Sequence, residues 1–285
     1  MFARALAVAL CLAATPLPAF AVTPVTAPAQ TMAPMTTDEL MAATALDQLF
    51  STFAETIAAS PEQQGLPLPE DFAETWKETS FAVFKPDEMH GALAKAFTDR
   101  FSAAELTELA TFYRSDFGKR VSAIEAAIQV MSVEEQLAAR DEGFSLLDAA
   151  DPDSRRIKQI DEIMVLVSAE VGRTMLGQAM RAMMVSMAMS GGSGDIEIPW
   201  SEIDAQLAMM LPGLEQEVTA TQRALMAYAY KDLSDDELEE YIVFLRTEVS
   251  MKFYAVLGYS VGIIMEKSMS KFGQELAYRL NRVNV

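Results

Sequence analysis

The chain has 285 residues, 51% hydrophobic, 22% charged and 8% aromatic, with a formal net charge of −19. Such proportions exclude a disordered chain, a disulfide scaffold and a collagen-like fibre, and the acidity excludes non-specific nucleic-acid binding, which needs clustered Lys and Arg to displace counterions from phosphate. A single cysteine (Cys11) and a single histidine (His90) remove most catalytic constellations from consideration.

The N-terminus reads as an export signal. Arg4 supplies a short positive region, Ala5 to Ala14 an uncharged apolar run, and Pro16 and Pro18 a break in the helix. Ala19-Phe20-Ala21 then forms an A-x-A site, so residues 1–21 are expected to be removed by cleavage after Ala21. The apolar run is too short to span a bilayer, which takes roughly 20 residues, and Cys11 lies inside it behind a bulky Leu10, unlike a lipidation site. Two later uncharged stretches, 182–194 and 253–265, are also short and are bounded by charges. No transmembrane segment is expected after signal removal, and the location is periplasmic or secreted.

Residues 22–36, rich in Pro, Thr and Ala, read as a flexible tether. From there the 3.6-residue period dominates. Thr36 and Glu39 have the spacing of a capping box, in which hydroxyl and carboxylate each satisfy an orphan N–H. The helix they open carries Leu40, Leu46, Leu49, Phe50, Phe53 and Ile57, with a stop expected at Ser60-Pro61. Pro69 and Pro86 look like first-turn prolines of helices running through Phe81 and Phe97. Ser132 to Glu135 opens another helix that fades near Asp151-Pro152, and a long one is expected from Asp153 to Ser190. After the Ser190 to Gly194 break, Pro199 opens a helix reaching about Lys231, with Pro212 as a kink. No window alternates strictly, so the fold class is all-α.

An internal repeat organises these helices. Phe101 to Glu108 returns as Leu233 to Glu240 at an offset of 132 residues, and the match continues from Phe112 to Phe244 and from Arg114 to Arg246. Ser102 with Glu105, and Ser234 with Glu237, form equivalent capping boxes. Each is followed by an apolar stripe, Leu106, Leu109, Ala110 and Tyr113 in the first and Leu238, Tyr241, Ile242 and Leu245 in the second. The expected architecture is two related helical-bundle lobes, residues 37–150 and 151–285, with the boundary at 148–154.

The first copy, Phe101-Ser-x-x-Glu105-Leu106 followed by Phe112-Tyr113-Arg114-Ser115-x-x-Gly118-Lys119, resembles the domain-of-unknown-function family 2059 of exported bacterial proteins. Asp116 stands where that family often has proline, and the second copy departs further, with Leu245 for the tyrosine and Ser250 for the glycine. The resemblance implies a helical fold and export, and supplies no catalytic residue. Physically, Ser102, Glu105, Ser234 and Glu237 are caps, Phe112, Tyr113 and Phe244 are bulky core or interface residues, and Gly118 permits a left-handed helix end or a close backbone approach. A rival reading makes Tyr113, Arg114 and Lys119 an anion site.

Few residues invite chemistry. The chain has 19 methionines, and Met180, Met183, Met184 and Met187 share one helical face. Thioethers there suit an irregular core, an adaptable partner surface or a Cu(I) site; with no His or Cys nearby, no metal is assigned. The acidic start Asp235 to Glu240 lacks the glycine turn of a calcium loop and reads as a solvated face favoured by the helix dipole. Tyr228, Tyr230, Tyr241, Tyr254, Tyr259 and Tyr278 cluster late in the chain, along a core edge or a groove. No catalytic residue and no cofactor is assigned. The expected function is non-enzymatic binding of a protein, peptide or envelope component through an apolar groove. The alternatives are a periplasmic enzyme with a carboxylate, Tyr or Lys site, and a Met-rich Cu(I) binder.

Overall fold

The computed structural model describes residues 32–63, 70–167, 181 and 200–283. The expected leader and Met180, Met183, Met184 and Met187 lie outside these residues. The described elements are all helices: α1 (Thr37–Ala43), α2 (Leu46–Gln63), α3 (Glu70–Val83), α4 (Pro86–Arg100), α5 (Ala103–Tyr113), α6 (Asp116–Gln129), α7 (Val133–Ala149), α8 (Arg155–Val167), α9 (Trp200–Ala229), α10 (Asp235–Leu245) and α11 (Glu248–Val283). None of them is long and apolar enough to cross a membrane.

Local chemistry sets most of the boundaries. Capping boxes start α1 at Thr36, α5 at Ser102, α7 at Ser132 and α10 at Ser234, each with the side chain three residues on closing the reciprocal bond. Pro86 sits in the first turn of α4, where its missing N–H costs nothing. Two expectations fail. The helix opened at Thr36 breaks after Ala43, and the chain turns through Ala45 at φ 54°. Pro61 does not end α2, which runs on to Gln63. Pro212 lies inside α9.

One apolar core runs through both halves of the chain. The loop between α7 and α8 coincides with the expected 148–154 boundary, yet residues on both sides join one cluster of buried side chains. The long α11 lies against α3, α4 and α5, α9 lies along α7, and α10 docks on α8. Rings lock this arrangement together: Phe272 meets Trp76 edge-on at 4.7 Å, and Phe253 tilts against Phe97 at 5.5 Å. At the α7–α9 contact, a Cβ at Gly143 would lie 1.9 Å from the Ala224 carbonyl oxygen. Only glycine permits that approach.

The helix pairs α5–α6 and α10–α11 agree bond for bond across 132 positions. Arg114 and Arg246 end the first helix of each pair in the same αR conformation, their N–H groups donating to Ala110 and Ile242 at 3.0 Å. Ser115 Oγ donates to the Phe112 carbonyl at 2.7 Å, as Thr247 Oγ1 does to Phe244 at 2.8 Å. The same two hydroxyls then cap the next helix, accepting from the N–H of Gly118 at 2.9 Å and of Ser250 at 3.2 Å. Gly118 therefore serves the second of its two expected roles. It sits in the first turn of α6, where an added Cβ would fall 2.0 Å from the Phe112 carbonyl oxygen.

Candidate functional site

The two helix pairs face each other. Phe112 and Phe244 stack at 3.7 Å with planes 5° apart. Around this stack the cap glutamates cross over. Glu105 of the first pair accepts from Lys252 Nζ of the second at 2.6 Å, and Glu237 of the second accepts from Arg120 of the first. Each cation is the other's counterpart at the 132-residue offset. The Lys252 bond and the Ser102 N–H hold Glu105 down at about 2; the Ser234 N–H and Arg120 hold Glu237 at the same value. Of the eight structural residues singled out in the sequence, Ser102, Glu105, Ser234 and Glu237 sit at the caps, Gly118 at the turn and Phe112 and Phe244 in the stack, while Tyr113 meets Phe244 edge-on at 5.5 Å.

Behind the stack lies a polar cluster whose carboxylate nothing in the sequence pattern marks. Glu125, on α6, accepts from Tyr230 Oη at 2.7 Å and from Tyr241 Oη at 2.6 Å, both on the same oxygen, Oε1. Tyr241 Oη lies 3.4 Å from Tyr254 Oη, and Tyr254 is hydrogen-bonded in turn to Tyr113. No described residue donates to Glu125 Oε2. Burial pushes the Glu125 carboxyl above its ordinary value, with the two phenols pulling the other way. Burial, reinforced by neighbouring oxygens, also raises Tyr113, Tyr241 and Tyr254, so these phenols remain donors rather than bases.

Glu125 borders a partly open cavity of about 100 Å³. Its walls are mainly apolar, with Leu49, Ile128, Val167, Leu225, Met226 and Phe253 drawn from five helices. Its polar lining consists of Glu125 with Tyr230 and Tyr254 at one end, together with Thr44, Gln129 and Gln222. Lys, Arg and His are absent from the described lining. An ordered water needs only about 10–15 Å³ of such space, so the cavity has room for a small ring or a short branched chain.

Other candidates resolve differently. Tyr113 is buried in the core, while Arg114 turns away to the Ala33 carbonyl at 2.7 Å and Glu39 at 2.9 Å, and Lys119 is exposed. An anion site built from those three does not assemble. The same Arg114 contact, with Met35 buried beneath it, pins the last residues of the expected tether against α5. The acidic start of α10 stays largely exposed at Asp236 and Glu240 and also meets cations of α8. Arg155 reaches Asp236 at 2.7 Å, Arg156 approaches Asp235 at 3.4 Å, and the Gln159 amide donates to the Asp235 carbonyl at 2.8 Å. His90 is half-buried on α4. Among the described residues no group of His, Cys, Asp and Glu is arranged to hold a metal. Of the late tyrosines, Tyr230, Tyr241 and Tyr254 form the cluster, whereas Tyr259 and Tyr278 are exposed.

Fold and site together define an all-helical protein in which two matching capped helix pairs close on each other beside an apolar cavity with one carboxylate. A family described as an uncharacterized protein conserved in bacteria, domain of unknown function 2059, matches residues 87–141, from the first turns of α4 to the middle of α7. That segment contains Ser102, Glu105, Phe112, Tyr113, Gly118 and Glu125. No curated protein and no solved structure matches the chain.

Proposed function

We propose that this is an exported, non-enzymatic binding protein, freed of residues 1–21, that takes an apolar group of an envelope component or peptide into the cavity beside Glu125. The observation that carries this reading is the cavity's chemistry: apolar walls surround a carboxylate oxygen that no described residue satisfies. A ligand donor would complete the hydrogen bonding of that carboxylate. Sites for small molecules combine a largely apolar lining with a few polar groups that fix orientation, and this one has that composition.

The α5–α6 and α10–α11 pairs are read as two copies of one repeated unit, each contributing to a shared architecture. The crossed ion pairs support this, since residue i of one copy meets residue j of the other and the reverse, the pattern of an isologous interface. The cavity uses both copies, with Glu125 from one and Phe253 and Tyr254 from the other.

Toluene, a neutral apolar probe, tests the cavity. Ligand-observed NMR with the wild-type protein is expected to show saturable binding. Ala229→Phe, which places a ring in the cavity wall, is expected to abolish it with the far-UV circular dichroism unchanged. A wild-type protein that does not bind toluene would sink the reading. The enzyme alternative is favoured by one observation, the Glu125 carboxyl held above its ordinary value by burial, as a general acid requires. Turnover lost in Glu125→Gln would carry it.

A further inference from the structure

If the cavity is a binding site, its polar end also restricts what binds there. Four features bear on the ligand. First, Oε1 of Glu125 is already engaged by two phenolic donors, while Oε2 receives no hydrogen bond from any described residue. The open valence is therefore that of an acceptor, and the ligand must bring a donor. Second, the described lining contains no cationic side chain, so a carboxylate or phosphate ligand would meet Glu125 without a counter-charge. Third, aromatic side chains belong to the lining: Tyr230 and Tyr254 at the carboxylate's end and Phe253 in the apolar wall. Ring faces attract cations, most strongly where water is excluded. Fourth, the chain carries a net charge of −19, a field that concentrates cations and repels anions near its surface.

We infer that the cavity binds a small organic monoamine, its ammonium group on Glu125 Oε2 beside the aromatic side chains and its apolar body against Leu49, Ile128, Val167 and Leu225. This assignment rests on the reading of the cavity as a binding site. The ammonium supplies a positive charge that the described lining lacks, and charge-assisted hydrogen bonds are roughly twice as strong as neutral ones. The Tyr230 and Tyr241 hydroxyls fix the carboxylate so that Oε2 keeps one direction. The cavity volume of about 100 Å³ limits the enclosed part of the body to about one small ring, and the partly open side leaves a short chain room.

The test uses isothermal titration of the mature protein with three probes of one skeleton, 2-phenylethylamine, 2-phenylethanol and phenylacetate. The amine is expected to bind at least tenfold more tightly than the alcohol, and the acid more weakly than both. Glu125→Gln keeps an acceptor for the two phenols while removing the charge; it is expected to lower amine affinity at least tenfold and leave the alcohol unchanged. Equal affinities for amine and alcohol in the wild-type protein would overturn the assignment without any variant. A preference for the amine that survives Glu125→Gln would also overturn it. An amide of Phe-Gly-Gly binding as tightly as the amine would move the ligand to peptide N-termini and overturn the small-molecule assignment. Toluene separates the two levels: if it binds and none of the three probes does, the ligand class falls and the cavity stands. If toluene also fails, the cavity reading itself falls.

Discussion

The α5–α6 and α10–α11 pairs share caps, turns and crossed ion pairs, and part company in many of their packed side chains, three of which bear on the site. Gly118 corresponds to Ser250, Tyr113 to Leu245, and Glu125 to Leu257, which is fully buried. What the pairs share are groups that fix backbone: serine, threonine and glutamate on otherwise orphan N–H groups. What they do not share are the groups that line the polar cluster and the cavity. A common scaffold therefore leaves the side chains behind the Phe112–Phe244 stack free to differ, and only the first pair puts a carboxylate there.

The sharpest way to break the equivalence is at the turn. Gly118→Ala must push a Cβ against the Phe112 carbonyl, where it would sit 2.0 Å from the oxygen. A loss of about 3 kcal/mol is expected from such overpacking. Its counterpart already carries a side chain, and Ser250 Oγ is buried with no hydrogen-bond partner among the described residues. Ser250→Ala is expected to be neutral or stabilising by up to about 1 kcal/mol. Urea unfolding of both variants checks this contrast, and comparable losses would mean that the two turns are not built differently.

A milder test sharpens the likeness. Ser102→Ala and Ser234→Ala each remove one cap hydroxyl in the same geometry, and each is expected to lower stability by about 1 kcal/mol. Losses differing by more than a factor of two in the same urea assay would contradict the equivalence.

The smallest effects separate by pH. Glu105 and Glu237 fall to about 2 in the folded protein from an ordinary 4.5, so their contributions are present above pH 4.5 and are lost as pH falls towards 2. Glu125 runs the opposite way. Its folded value is raised, so the folded state holds the proton more tightly, and its contribution is greatest below 4.5 and declines as pH rises through the raised value. Glu105→Gln and Glu237→Gln are expected to flatten the acid side of a melting-temperature profile. Glu125→Gln is expected to flatten the decline above pH 4.5. An unaltered profile above that pH would remove Glu125 from the buried cluster.

The parts of this arrangement that could be read from the chain are those set by neighbours within four residues. Ser102 with Glu105, Ser132 with Glu135 and Ser234 with Glu237 reveal three helix starts because hydroxyl and carboxylate act locally. The stripes after them reveal the buried faces, with Leu109, Leu238 and Ile242 fully enclosed and Leu106 packed against the core. Glu125 was illegible for the opposite reason. It lies among Ile124, Ala126 and Ala127 with no distinguishing spacing, and its two partners are 105 and 116 residues away. The break at Ala45 has no Gly or Pro to mark it, and packing overrides the usual conformational preference of alanine there. The docking of α10 on α8 was hidden likewise, since an acidic run looks the same whether water or Arg155 stands opposite.

Helices interleave across the α7–α8 connection. Because α11 covers α3, α4 and α5 while α9 covers α7, neither half of the chain has a private interior to retreat to when the other loosens. Heat or denaturant meets a cooperative body, and a lesion at Phe97 is felt at Phe253, which lies more than half the chain away in sequence but against it in space.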